Sequence, residues 1–231
     1  MTEDRQSTKD RLLDAAENLF AEKDFENVSI RELAAAADVN VAAVNYHFQG
    51  KENLFHEVVQ RRFVVQRDNT LAALDGLLEE TGGHPRADQV IRTLVRQHLE
   101  GALPGPGSAS FLALMARHMQ PGNAHMAGPF FKTIVAPIFG KFSRTLIMSH
   151  PGLEPEQVTW IAASILGQIH HFIIRWQKRR DMESDPESLQ TMLQAFPALS
   201  LSLPEYTEQV TDHITRFSTA AIDGLYPEVT P

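Results

Sequence analysis

Residues 29–51 read Ser29-Ile-Arg-Glu-Leu-Ala-Ala-Ala-Ala-Asp38-Val-Asn40-Val-Ala-Ala-Val-Asn45-Tyr-His-Phe-Gln-Gly-Lys51. Ser29 and Glu32 form an S-x-x-E capping box, in which each side chain satisfies an orphan amide of the other residue. The spacing predicts a short helix over Ile30 to about Ala36, a tight turn at Asp38-Val39-Asn40, and another short helix from Val41 to about His47. Leu33, Val39 and Val44 are spaced to pack the two helices at a steep angle, and Ala34 and Ala37 are small enough to let them approach. Two short helices joined in this way make a helix-turn-helix, whose second helix enters the major groove of DNA.

Upstream, Leu12, Ala16, Leu19 and Phe20 fall at helical spacing, and Ser7 or Thr8 can cap a first helix running to about Lys23. Downstream, a fourth helix starts near Gly50 and Lys51 and meets no proline or glycine before Gly76. Five more helices are expected at about 86–102, 108–119, 128–149, 155–181 and 204–225, with Pro137 kinking the third of these. Strand-like alternation is nearly absent, so the fold class is all-α. Residues 1–54 read as a DNA-binding domain and residues 55–231 as a larger helical domain.

Composition narrows the partners. The chain has no cysteine, which excludes disulfides, thiolate metal sites and a cysteine nucleophile. No apolar run is long enough for a membrane span, and the polar start at Met1 to Asp14 is unlike a signal peptide, which points to the cytoplasm. The net charge is -8, and the reading segment from Ser29 to Lys51 is neutral, so the basic footprint of many nucleic-acid binders is missing. DNA binding has to rest on motif geometry.

The same stretch resembles the TetR family of regulators, whose pattern runs close to T-x-x-x-I-A-x-x-A-G-V-S-x-x-x-x-Y-x-H-F-x-x-K-x-x-L. Ser29, Leu33, Ala34, Ala37, Val39, Asn40, His47, Phe48, Lys51 and Leu54 stand at the matching places without a gap. Asp38 replaces the family's usual glycine, and Asn45 replaces a frequent tyrosine. Asp tolerates the left-handed region better than most residues, and Asn can bond adenine in a bidentate way. The resemblance implies a helix-turn-helix domain joined by a long fourth helix to a ligand-binding and dimerisation domain. It implies a homodimer on a palindromic double-stranded operator, with a small-molecule effector that releases it.

Roles follow from that frame. Val41, Ala42, Ala43 and Asn45 are the candidate groove-facing surface, and Asn40 is a further candidate DNA contact. Arg31 reaches a guanine or a phosphate, and Ser29, Tyr46, His47 and Lys51 hold phosphates. In the larger domain, Val158, Ile165, Ile169, Phe172 and Trp176 step by three, four and seven along one helix. Val210, Ile214, Phe217 and Ala221 do the same on the last helix. These two seams are the candidate dimer interface, the alternative being that they face their own domain's core. Phe63, His98, Phe111, Met115, His118, Met119, Phe130, Phe131, Ile134 and His171 are candidate lining for a pocket that takes a small apolar or aromatic ligand, although such stripes more often form core.

Catalytic signatures are missing. His56-Glu57-Val-Val-Gln60 lacks the second histidine of a zinc-protease motif, and Gly105-Pro-Gly-Ser108 lacks the lysine of a phosphate loop. No metal or cofactor is expected. The alternatives are a DNA-binding adaptor controlled by a protein partner and an all-α enzyme with an unrecognised pocket.

Overall fold

In the computed structural model, which describes residues 7–23, 25–103 and 130–227, every described regular element is helical. The helices are α1 (Thr8–Glu22), α2 (Ile30–Ala36), α3 (Val41–Phe48), α4 (Lys51–Glu80), α5 (Ala87–Ala102), α6 (Ala136–Ser149), α7 (Pro155–Asp181), α8 (Pro186–Ala195) and α9 (Leu203–Leu225). Among the described residues, no helix is long and apolar enough to cross a membrane. The chain divides into two compact units, the first of residues 1–65 and 104–130 and the second of residues 66–103 and 131–231.

The first unit is built around α1, α2, α3 and the start of α4. Leu12, Ala16 and Phe20 of α1, Leu33 of α2, Val44 and Phe48 of α3, and Leu54, Phe55 and Val58 of α4 form one buried cluster. Phe20 and Phe55 meet edge-on at 4.6 Å, and Phe25 closes the triad at 5.1 Å from Phe55. Each start is set locally. The Ser7 hydroxyl accepts from the Asp10 amide at 3.1 Å, and Asn40 Oδ1 accepts from the Ala42 amide at 2.9 Å. The turn between α2 and α3 takes the left-handed conformation at Asp38, with φ +52°, as expected for the residue standing at the family's glycine position.

In the second unit α5 packs most extensively on α9. Val90, Ile91, Leu94, Val95 and Leu99 of α5 are buried, as are Val210, Ile214 and Ile222 of α9. Arg92 and Arg96 of α5 pair with Glu208, and Arg92 also pairs with Asp212, which fixes the register of the two helices at the surface. Tyr206 is buried against Trp176 with ring centroids 4.5 Å apart, and its hydroxyl donates to the Phe172 carbonyl at 2.8 Å. Gly101 leaves the space in which the Gln66 side chain lies, where it donates to the Gln97 carbonyl.

The helix expected at about 128–149 is helical from residue 130, with a π turn over Phe131–Val135 just before Pro137. Proline has no amide to give the carbonyl four residues back, which is Thr133. That carbonyl accepts instead from Arg67 Nη1 at 3.0 Å. The connection after α7 also contains α8, a helix beyond those expected from the sequence. The expected helix at about 108–119 lies outside the described residues.

The seams are the larger correction. Val158, Ile165, Ile169, Trp176, Val210 and Ile214 are each no more than 5% exposed within this one chain. They face their own unit's core and cannot form the contact surface with a second copy. Phe172 and Ala221 are half-buried, and Phe217 alone of the nine is well exposed, at 59%. Periodicity marks an apolar stripe but does not say which of two apolar faces turns inward.

Candidate DNA interface

The sequence from Ser29 to Phe48 builds a rigid reading head. Ser29 caps α2, and the Glu32 carboxylate accepts from the Ser29 amide at 2.8 Å, from the Ser29 hydroxyl at 2.8 Å and from Lys23 Nζ at 3.0 Å. The Ser29 amide, followed by Lys23, holds the Glu32 carboxyl down at about 2, far below the usual carboxylate range. Val44 and Phe48 anchor α3 from below, being 0% and 2% exposed.

The face left over consists of Val41, Ala42, Asn45 and Tyr46, all exposed, with Arg31 exposed at the second position of α2. Tyr46 stands furthest out, at 83% exposure, with the His47 ring edge-on 5.0 Å away. Methyl groups at Val41 and Ala42 match thymine methyls, and the Asn45 amide matches the donor and acceptor of adenine. Ala43, expected beside them, is half-buried and packs on the domain core. Asn40 turns its side chain back to cap α3.

Lys51, expected to hold a phosphate, contacts its own domain. Its ammonium donates to the carbonyls of Phe25 at 2.8 Å and Val28 at 2.9 Å, and it lies over the Phe25 ring at 4.2 Å. Sequence reasoning also missed Arg11, whose Nη1 donates to the Asp38 carbonyl at 3.4 Å across 27 residues and so braces the turn. Lys9 pairs with Glu57 at 2.6 Å and lies over the Phe48 ring. No local pattern marks contacts of such separation.

The candidate pocket residues do not share one setting. Phe63 and Phe130 pair edge-on at 4.8 Å in the first unit. In the second, Ile134 is buried, while Phe131 is 57% exposed. His98 is half-buried, with Nδ1 3.2 Å from the Leu94 carbonyl, and burial pushes its pKa down to about 4. His171 is exposed on α7 and accepts from Arg175 Nε at 3.1 Å, which corrects its assignment to an interior pocket. Phe111, Met115, His118 and Met119 lie outside the described residues.

A capped pair of short helices, with the second presenting a row of exposed apolar and amide groups, defines a helix-turn-helix domain of the DNA-binding class. Residues 12–58 match the family model for bacterial regulatory proteins of the tetR family. The chain is 47% identical over 53 residues to the HTH-type transcriptional regulator YttP of Bacillus subtilis (strain 168), covering 23% of this chain and 26% of that one. It is 36% identical over 56 residues to the regulator AcrR of Shigella flexneri, covering 24% and 26%. The match thus spans about a quarter of these relatives' lengths. Solved structures extend the likeness in fold. A TetR-family protein of Mesorhizobium loti aligns with TM-score 0.59 at 16% identity over 93% of this chain and 96% of that one. The fatty acid degradation regulator FadR of Bacillus halodurans aligns with TM-score 0.56 at 13% identity over 92% and 97%. Residues 12–58 thus carry the tetR-type DNA-binding domain, and the fold of the chain is like that of solved TetR-family structures.

Proposed function

We propose that the protein is a transcriptional repressor that binds a palindromic operator as a homodimer and is released by a small apolar or aromatic ligand. The observation that carries the DNA-binding part is the exposed row Val41, Ala42, Asn45 and Tyr46 on a helix whose opposite face is fully anchored. Repression is supported by a third relative, the biofilm operon negative transcriptional regulator IcaR of Staphylococcus epidermidis, 23% identical over 77 residues, or 31% of this chain and 42% of that one.

Dimerisation is supported by an outward stripe on the helices whose inner stripes fill the core. On α7, Trp160, Ser164, Gly167, His171 and Ile174 are all exposed and step by four and three. On α9, His213, Phe217, Ala220 and Gly224 do the same. A second copy packing on these faces would bury Trp160 and Phe217, now 65% and 59% exposed.

Selection from a randomised duplex pool tests the DNA reading. The expected product is a two-fold symmetric site with half-sites about one helical turn, ~34 Å, apart. Asn45→Ala should relax the preference at one position of each half-site, by about 1–3 kcal/mol. An unchanged selected sequence would refute the base-reading role of Asn45. Ligand control is tested by titrating apolar and aromatic compounds with and without the selected duplex, since linkage requires weaker ligand binding to the DNA-bound form. Equal ligand affinity in both states would remove the effector from the reading.

A further inference from the structure

Helix α3 starts at Val41 because Asn40 caps it and the left-handed Asp38 turns the chain just before. Val41 and Ala42 are therefore its first two residues, and both are exposed, Val41 at 39%. Asn45 is exposed on the same face, four residues after Val41 and three after Ala42. The first turn of a recognition helix is the part that meets base edges. Here that surface carries two aliphatic side chains and one amide.

Other base-reading groups are missing from it. The sequence of α3 has no arginine, lysine, glutamine or carboxylate, the side chains that take guanine and cytosine edges. His47, which could donate to guanine, is half-buried in the last turn. Asn40 does not supply a second two-point amide, since its Oδ1 already accepts from the Ala42 amide at 2.9 Å. What remains has definite complements in the major groove. An aliphatic group matches the C5 methyl of thymine, and an amide matches N6 and N7 of adenine. Branching at Cβ restricts Val41 to few rotamers, so its methyls are held in place.

Accepting the DNA-binding reading above, we propose that α3 selects A·T pairs alone, reading thymine through its methyl group at Val41 and Ala42 and adenine through Asn45. Guanine is left to α2, where Arg31 is exposed at the second helical position and can take O6 and N7 together. Its neighbour Glu32 does not compete for the guanidinium, being held by Ser29 and Lys23. The operator is thus of a definite class, with an A·T core beneath α3 in each half-site and guanine beneath α2. A methyl-sized apolar group leaving water is worth roughly fourfold in an equilibrium constant. Loss of one such contact in each of two half-sites weakens binding about fifteenfold.

The test uses the full-length protein and the duplex it selects from a random pool. Selections with Val41→Ser, Asn45→Ala and Arg31→Gln mark, by the position each variant relaxes, the base pair that each residue reads. A·T pairs are expected at the positions marked by Val41 and Asn45, and a G·C pair at the one marked by Arg31. A G·C pair at either of the first two, or a Val41→Ser variant that relaxes no position, overturns the proposal. Retention of every guanine by Arg31→Gln overturns the role given to Arg31. The thymine marked by Val41 is then replaced in both half-sites by uracil, which lacks only the methyl group. The parent should bind the uracil duplex about fifteenfold more weakly, and Val41→Ser should bind the two duplexes equally. Equal binding of both duplexes by the parent overturns methyl recognition. If Val41→Ser does not fold, uracil placed at each selected thymine in turn, with the parent protein, still decides. Failure to enrich any duplex overturns both this proposal and the DNA-binding reading, whereas an enriched site with G·C beneath α3 overturns this one alone.

Discussion

At the scale of single residues, burial decides what a polar side chain can do. His98 is kept neutral because a charged imidazole among the apolar side chains of α5 would lose its hydration, and the nearby His170 lowers its pKa further. Its folded-state pKa of about 4 lies below the ordinary 6.5, so the unfolded chain binds the proton more readily. The sign is therefore that stability is full above about pH 6.5 and declines as the pH falls toward 4. Burial also lowers the pKa of His170, which adds in the same direction. Denaturant midpoints measured across this window should fall in the parent and fall less in His98→Gln, which keeps a donor for the Leu94 carbonyl. Parallel curves would show that another group carries the acid sensitivity.

Elements are held at their ends and interruptions by polar contacts whose loss has a definite cost. Glu32 closes the capping box of α2 and carries a folded-state pKa of about 2 against an ordinary 4.5. Its contribution is present above about pH 4.5 and is lost as the pH drops toward 2. Thermal melting of Glu32→Gln should be flatter than the parent over that acid range, and an identical profile would exclude the capping box as its origin. Arg67 supplies the donor that Pro137 denies to the Thr133 carbonyl. Arg67→Leu strands that carbonyl and should destabilise the second unit by about 1–3 kcal/mol, as read by chemical denaturation. A combined Arg67→Leu and Pro137→Ala variant should recover part of the loss, because alanine restores the amide.

For the whole molecule, the weight falls on α7 and α9, which have two faces each. Their inner stripes close the core of one copy, and their outer stripes carry Trp160, Ile174, Phe217 and Leu225 into solvent. Trp160→Glu with Phe217→Glu should leave the melting transition of the chain cooperative and convert a dimer into a monomer by light scattering. The same double variant should lose most operator affinity, because one reading head grips half of a palindrome. A parental protein that is already monomeric at micromolar concentration would contradict the proposed assembly.

The sequence by itself determined the elements near the reading head. The Ser29 and Glu32 box, the left-handed Asp38, the Asn40 cap and the long uninterrupted run after Lys51 are local signals, each acting within a few residues. They were legible because capping, turn conformation and helical spacing are short-range physics. What only the tertiary structure decided lies further apart in the chain. Val158 and Trp160 are two residues apart on one helix, yet one is completely buried and the other 65% exposed, because the position of α7 relative to the rest of its unit selects the inner face. That Lys51 donates to the Phe25 and Val28 carbonyls, across 26 and 23 residues, could not be read from the sequence. A hydrogen bond of that span exists only after packing has closed the loop between its partners. Composition and periodicity carry no record of which partner will arrive.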